Sequence, residues 1–124
     1  MGENLKTKIG SIVVKLKKFD EMLAFWQVTL HYVPGHPEGN GFIILRDPEG
    51  KDPNMSLDKA LDGERIGSTR FPRFHIDLYA ENQEDEVQRL RKIGATPHLQ
   101  TYDPEGDFVA LQDPDGNLFC VVQT

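Results

Sequence analysis

The stretch Asp107–Gln123, DFVALQDPDGNLFCVVQ, decides how this chain is read, because a degraded copy of it stands earlier, at Gly41–Lys51, GFIILRDPEGK. Phe42, Leu45, Asp47, Pro48 and Gly50 match Phe108, Leu111, Asp113, Pro114 and Gly116 at one offset of 66 (108 − 42, 116 − 50). In each copy Asp-Pro-x-Gly supplies Pro at the second position of a type I turn and Gly at its end, between two apolar runs. That pattern predicts a β-hairpin. The chain thus carries an internal repeat, and what lies outside the hairpins decides whether the whole of it is doubled.

With 124 residues there is enough chain for one core but not for two independent ones, so repeats of about sixty residues would have to share sheets or pack closely. A net charge of −6, with scattered basic residues, argues against a nucleic-acid surface or an anionic membrane as partner. The single cysteine, Cys120, excludes an internal disulfide framework and fits a reducing compartment. The polar start, Met1 to Lys8, lacks the apolar segment of a secretory signal, so the expected location is the cytoplasm.

Outward from the first hairpin, Ile12, Val14 and Leu16 alternate with Ser11, Lys15 and Lys17, the period of a half-buried strand. Asp20 is placed to cap a helix with the apolar stripe Met22, Phe25, Trp26 and Leu30. A short strand over His31–Pro34 and a loop over Gly35–Asn40 lead into the hairpin. Asp52 and Pro53 interrupt its second arm, which is therefore expected at about Asn54–Asp58.

Residues 59–71 show no period and read as a linker. Pro72–Ala80 then alternates again, with Phe74, Ile76 and Leu78 on one side and His75, Asp77 and Tyr79 on the other. Asn82 predicts the cap of a helix through Val87, Leu90 and Ile93 that ends at Gly94. The run Glu81–Glu86 reads as a solvated helix start. Ala95–Tyr102 reads as a strand, and Asp103-Pro104-Glu105-Gly106 as a turn into the last hairpin. Each half therefore spells β-α-β-β-β. Aligning Phe74-Ile76-Leu78 with Ile12-Val14-Leu16 gives an offset of 62 (74 − 12). The expected fold class is α+β: one domain over residues 1–124, with module 1 at about 9–58, a linker at 59–71 and module 2 at about 72–124.

Phe25-Trp26, Phe74-His75-Ile76-Asp77-Leu78, Ile93-Gly94-Ala95 and Leu111 through Cys120 with Asp-Pro-Asp-Gly-Asn, in this order and spacing, resemble the vicinal oxygen chelate superfamily. This is the glyoxalase/bleomycin-resistance/extradiol-dioxygenase group, and the resemblance is strongest to its glyoxalase-like subgroup. It implies two tandem βαβββ modules whose sheets curl into a cup with helices packed outside. A divalent metal would lie inside, held by residues of the first and last strand of each module, and the chain would form a homodimer.

The alternation assigns faces independently of the family. If the apolar side of each first strand covers its helix, then Val13, Lys15, Lys17, His75, Asp77 and Tyr79 face the cup. Phe42, Ile44, Arg46, Phe108, Ala110, Gln112, Leu118, Cys120 and Val122 join them, with Asn54, Ser56 and Asp58 from the damaged arm.

Carried over by resemblance, the family's four ligand positions fall on His75, on Cys120, on Val13 or Ile12, and on Asn54 or Ser56. Only His75 and Cys120 are usable donors, too few for a catalytic zinc or an octahedral ion. No cofactor is expected on this reading, and a divalent metal completed by Asp77 or Asp58 is the alternative. The expected ligand-binding set is His75, Asp77, Tyr79, Lys15, Phe42, Arg46, Phe108, Gln112, Leu118 and Cys120, taking a small organic ligand.

His75 is the best catalytic candidate if the protein is an enzyme, which would then be a lyase, isomerase or dioxygenase of the glyoxalase type. A module that dimerises and binds nothing is a third reading. Lys15 and Asp77, equivalent under the offset of 62, would form an ion pair across the module seam. His31 and His36 flank a Pro-Gly turn, His98 follows Pro97, and Trp26 reads as core.

Overall fold

The computed structural model describes residues 7–35, 41–68, 71–98 and 107–124. They form strands β1 (Thr7–Leu16), β2 (Val33–Pro34), β3 (Phe42–Arg46), β4 (Asn54–Lys59), β5 (Phe74–Ala80), β6 (Thr96–Pro97), β7 (Phe108–Gln112) and β8 (Leu118–Gln123). Two helices, α1 (Phe19–Leu30) and α2 (Gln83–Lys92), complete the set. The chain is α+β and both halves run β-α-β-β-β, as the repeat predicts. The turn at Asp103–Gly106, the later part of the Ala95–Tyr102 strand, most of the Gly35–Asn40 loop with His36, and residues 1–6 lie outside the described residues.

Packing divides the chain into two compact units, Ser11–Phe74 and His75–Thr124, the latter joined by the start of β1 through Gly10. In the first unit the strand order is β2-β3-β4-β1, with β1 and β4 parallel and the others antiparallel. In the second it is β5-β8-β7-β6, with β5 and β8 parallel. The hairpin forms the longer antiparallel pair of each unit, and a two-residue strand adds a second beside it. The helix crossover makes the parallel pair possible.

Both Asp-Pro-x-Gly turns close alike. The Gly50 N–H donates to the Asp47 carbonyl at 3.0 Å and the Gly116 N–H to that of Asp113 at 2.9 Å, with the glycines at φ +68° and +88°. The aspartate side chains brace the turns from within: Asp47 accepts from the Glu49, Lys51 and Asp52 N–H groups, and Asp113 from those of Asp115 and Asn117. These bonds hold both carboxyls below the ordinary range, led by the Glu49 N–H for Asp47 and the Asn117 N–H for Asp113. The extra residues of the first copy are tied down by the Tyr32 hydroxyl, which donates to the Pro53 carbonyl at 2.8 Å.

The first core joins Val14, Leu16, Ile43, Leu45, Met55 and Leu57 to Phe19, Met22, Leu23, Trp26 and Leu30 of α1. The second joins Ala80, Ala95, Leu111 and Val121 to Val87 and Leu90 of α2, with Val109 and Phe119 beside them. The hairpin faces are thus as the alternation predicts. The first strands are only half so. Ile12, Phe74 and Ile76 are 44%, 59% and 40% exposed, and none of them belongs to either core.

Three local expectations change. The residue before α1 is Lys18, which makes no side-chain cap, and Asp20 instead sits in the first turn, where its charge suits the helix end. Asn82 does cap α2, its side chain accepting from the Asp85 N–H, but Glu86 is buried rather than solvated and is held by Arg89. His31, expected to begin a strand, instead caps the end of α1 in the left-handed conformation, φ +58°, and β2 starts at Val33; Gly94, one residue past the Ile93 cap of α2, has φ +124°.

Gly10 lies against the ring of Tyr79 so closely that a Cβ there would stand 2.1 Å from the ring. Gly10→Ala is expected to destabilise by about 1–3 kcal/mol through overpacking, read as a lower Tm; an unchanged Tm would show that the ring does not rest on this glycine. The depressed carboxyls of Asp47 and Asp113 bind protons more weakly folded than unfolded. They therefore contribute stability above the ordinary carboxylate pKa that is lost as pH falls through their own. NMR titration should place both midpoints below those of free aspartate, and ordinary midpoints would contradict the bracing.

Candidate functional site

Strand register decides which side chains share a face. In the second unit Asp77 pairs with Cys120 and Tyr79 with Val122, while Phe108, Ala110 and Gln112 pair with Val122, Cys120 and Leu118. His75, Asp77, Tyr79, Phe108, Gln112, Leu118 and Cys120 therefore share the sheet face away from the α2 core. In the first unit Lys15 pairs with Asp58, and Phe42 with Asp58, placing Lys15 and Phe42 on the face away from α1. Arg46, at the end of β3, is exposed. The seven expected site residues of the second unit thus lie on one face of its sheet, and Lys15 and Phe42 on one face of the first unit's sheet.

The same registers correct the equivalence of the two copies. The hairpin offset of 66 falls to 64 in the last strand of each module: Phe42 faces Asp58 where Phe108 faces Val122 (122 − 58 = 64). Two extra residues in the stretch that includes Asp52 and Pro53 account for the loss. Ser56 is therefore the counterpart of Cys120, and through the parallel pairs Val13 is that of Asp77 and Lys15 that of Tyr79. The counterpart of His75 is Ser11 (75 − 11 = 64), not Val13 or Ile12 as the offset of 62 indicated. A Lys15–Asp77 equivalence is excluded.

In the first module these two positions are closed on each other. Ser11 Oγ and Ser56 Oγ share a hydrogen bond of 2.6 Å and are 0% and 1% exposed. In the second module the matching positions carry donors. His75 Nε2 lies 3.3 Å from Asp77 Oδ1, both side chains being 17% exposed, and the ligand atoms of His75, Asp77 and Cys120 all lie within 4.8 Å of one another.

Asp77 thus turns the two donors expected from sequence into three. Burial, and then the neighbouring Asp77 charge, push the Cys120 thiol up to about 12, so it is protonated at neutral pH. Tyr79 has one ring face against Gly10.

This donor set does not fit the hard octahedral dication that the fold family implies, which asks for several oxygens or imidazoles: one carboxylate and one imidazole come with a thiol. Zinc tolerates such a mixture and displaces a thiol proton on binding. His75, Asp77 and Cys120 are the residues that would hold it.

Lys15 is committed elsewhere. Its Nζ lies 3.0 Å from Glu64 Oε1 and 3.3 Å from Asp58 Oδ2, and it stands over the ring of Phe71. Burial raises the Glu64 pKa, but the Leu61 N–H and Lys15 outweigh it and bring the carboxyl below its usual range. Glu64 was invisible as a partner because the linker has no period to place it. Ser11 could have been found, since counting the inserted residues in the first hairpin yields the offset of 64. His31 is exposed at its helix end, and His98 is buried with its N–H donating to the Ala110 carbonyl. No described helix is long and apolar enough to cross a membrane.

Solved structures show the same fold at low identity. A glyoxalase/bleomycin resistance protein/dioxygenase superfamily member from Vibrio splendidus 12B01 superposes with a TM-score of 0.60 at 14% identity, covering 98% of this chain and 100% of that one. Methylmalonyl-CoA epimerase from Mycobacterium tuberculosis gives 0.67 at 17%, covering 92% and 85%. A hypothetical protein from Bacillus halodurans C-125 gives 0.63 at 16%, covering 96% and 95%. No curated protein sequence matches the chain. The model of the glyoxalase-like domain matches residues 11–122, nearly the full length, with both modules inside the match. This chain therefore belongs to the glyoxalase-like domain family.

Proposed function

We infer that this glyoxalase-like domain binds a small organic molecule, without a hard metal ion, on the helix-free face of its second module. His75 and Asp77 form the polar end of the surface, with the neutral Cys120 thiol beside them and Phe108, Leu118 and Val122 as its apolar part. A few oriented polar groups on a mostly apolar surface is the usual composition of such sites. The observation that carries this reading is the buried 2.6 Å bond between Ser11 and Ser56, which leaves hydroxyls bonded to each other where the resemblance asks for metal donors.

A second reading rests on the three ligand atoms within 4.8 Å. His75, Asp77 and Cys120 would hold a thiophilic dication with a position left for substrate, the requirement of a zinc enzyme. In that case His75→Ala would lose both ion and activity.

Metal analysis of protein purified without chelators separates the two. Well under one equivalent of any divalent ion is expected, and one equivalent of zinc, lost in His75→Ala, would replace the first reading with the second. In a thermal-shift screen of metabolites, a ligand at 100 times its Kd stabilises by about 2.7 kcal/mol, and His75→Ala is expected to abolish the response. A response that persists in the variant would move the ligand off this face.

The thiol offers an independent check. With its pKa near 12, Cys120 should react with iodoacetamide at pH 8 far more slowly than in the unfolded chain. Equal rates would mean that the thiol is neither buried nor neutral.

A further inference from the structure

The chain carries 14 lysines and arginines against 20 acidic residues, yet five of those cations line one open cavity of the first unit. The cavity, about 730 Å3, lies at the end of β1, where Val14, Leu16 and Met22 meet the 64–66 segment and Arg73-Phe74. Lys15, Lys17, Lys18, Arg65 and Arg73 face one carboxylate, Glu64, a net of +4 formal charges around the space. Lys15 and Glu64 satisfy each other at 3.0 Å. Lys17, Lys18, Arg65 and Arg73 form no ion pair among the described residues.

Four like charges at one rim repel one another, and an acidic protein gains nothing in folding by collecting them there. The backbone beneath them is nonetheless fixed. The Arg65 carbonyl accepts from the N–H and hydroxyl of Ser68, at 3.2 and 2.7 Å, and the Arg73 carbonyl accepts from the Lys15 N–H at 2.9 Å. Between the cations lie apolar groups, Ile66 and Phe74, the latter 59% exposed. The end of α1 adds little, because Asp20 and Glu21 already occupy its first turn.

We propose that this cavity is a binding site for an organic phosphate: a phosphoryl or pyrophosphoryl group between Arg65, Arg73, Lys17 and Lys18, with an apolar portion against Ile66 and Phe74. Two guanidinium groups favour phosphoryl oxygens through paired N–H donors, and four cations call for more than one negative charge, which a single carboxylate does not supply. The volume suits a small molecule and is too small for a duplex or a bilayer. The site shares no residue with His75, Asp77 and Cys120, so either site can fail while the other stands.

The test is calorimetric titration of the intact protein at low ionic strength with inorganic phosphate, hexyl phosphate and hexanoate. Hexyl phosphate should bind about tenfold more tightly than inorganic phosphate, the gain expected from burying roughly two methylenes, and hexanoate should bind at least tenfold more weakly than hexyl phosphate. Arg65→Gln combined with Arg73→Gln should weaken hexyl phosphate binding at least tenfold with the melting curve unchanged, both side chains being exposed. The charge-matched control, Arg91→Gln with Lys92→Gln on α2, should weaken it less than twofold. Equal weakening in the control, equal binding of hexanoate, or no heat with any of the three would overturn the proposal.

Discussion

The parallel pairing of each module's first strand with its last is the constraint from which the rest of this structure follows. Because side chains alternate along a strand, the register of that pair decides which residues share a face, and a slip of one residue would exchange core for surface. In the second module it sets Asp77 opposite Cys120 and, two residues earlier on the same face, His75. In the first it sets Val13 opposite Ser56, with Ser11 in the place of His75. The hairpin turns hold these registers, each through an aspartate that accepts several backbone N–H groups.

The electrostatic consequences differ between the copies. Asp77 lies between an imidazole, which it pairs with at 3.3 Å, and a thiol whose ionisation is opposed first by burial and then by the Asp77 charge. In the first module the half-buried charge is Lys15, answered by Asp58 from the paired strand and Glu64 from the linker. A half-buried cation with two carboxylates is well compensated, and its value lies in fixing the linker more than in net stability. That linker then supplies Arg65 to the basic cavity, which Arg73, just before β5, also lines.

Much of this was legible in the sequence, and the failures have physical causes. The duplication, the element order, the hairpin faces and the Asn82 cap follow from turn chemistry and period. The N-terminal boundary of α1 did not, because a helix can start without a side-chain cap when its first turn carries acids, as at Asp20 and Glu21. Phe74 and Ile76 have the alternation of buried residues but are exposed, since alternation reports a face and not whether anything covers it. The site was half legible. His75 and Cys120 follow from the resemblance and Asp77 was named as a residue that could complete them, whereas Ser11 as the counterpart of His75 depended on counting the insertion in the first hairpin.

That insertion bears on function because it distinguishes positions that have lost their donors from positions that were never aligned. With the offset of 64, the matched positions are a hydroxyl pair in one module and an imidazole and a thiol in the other. Ser11 and Ser56 are fully buried, so their hydrogen bond is a closed arrangement, and removing one partner would strand a buried hydroxyl. His75 and Asp77 keep 17% of their side-chain surface exposed. In hydrogen-bonding terms the two copies differ: the first closes a buried hydroxyl pair at these positions, and the second holds a partly exposed imidazole-carboxylate pair.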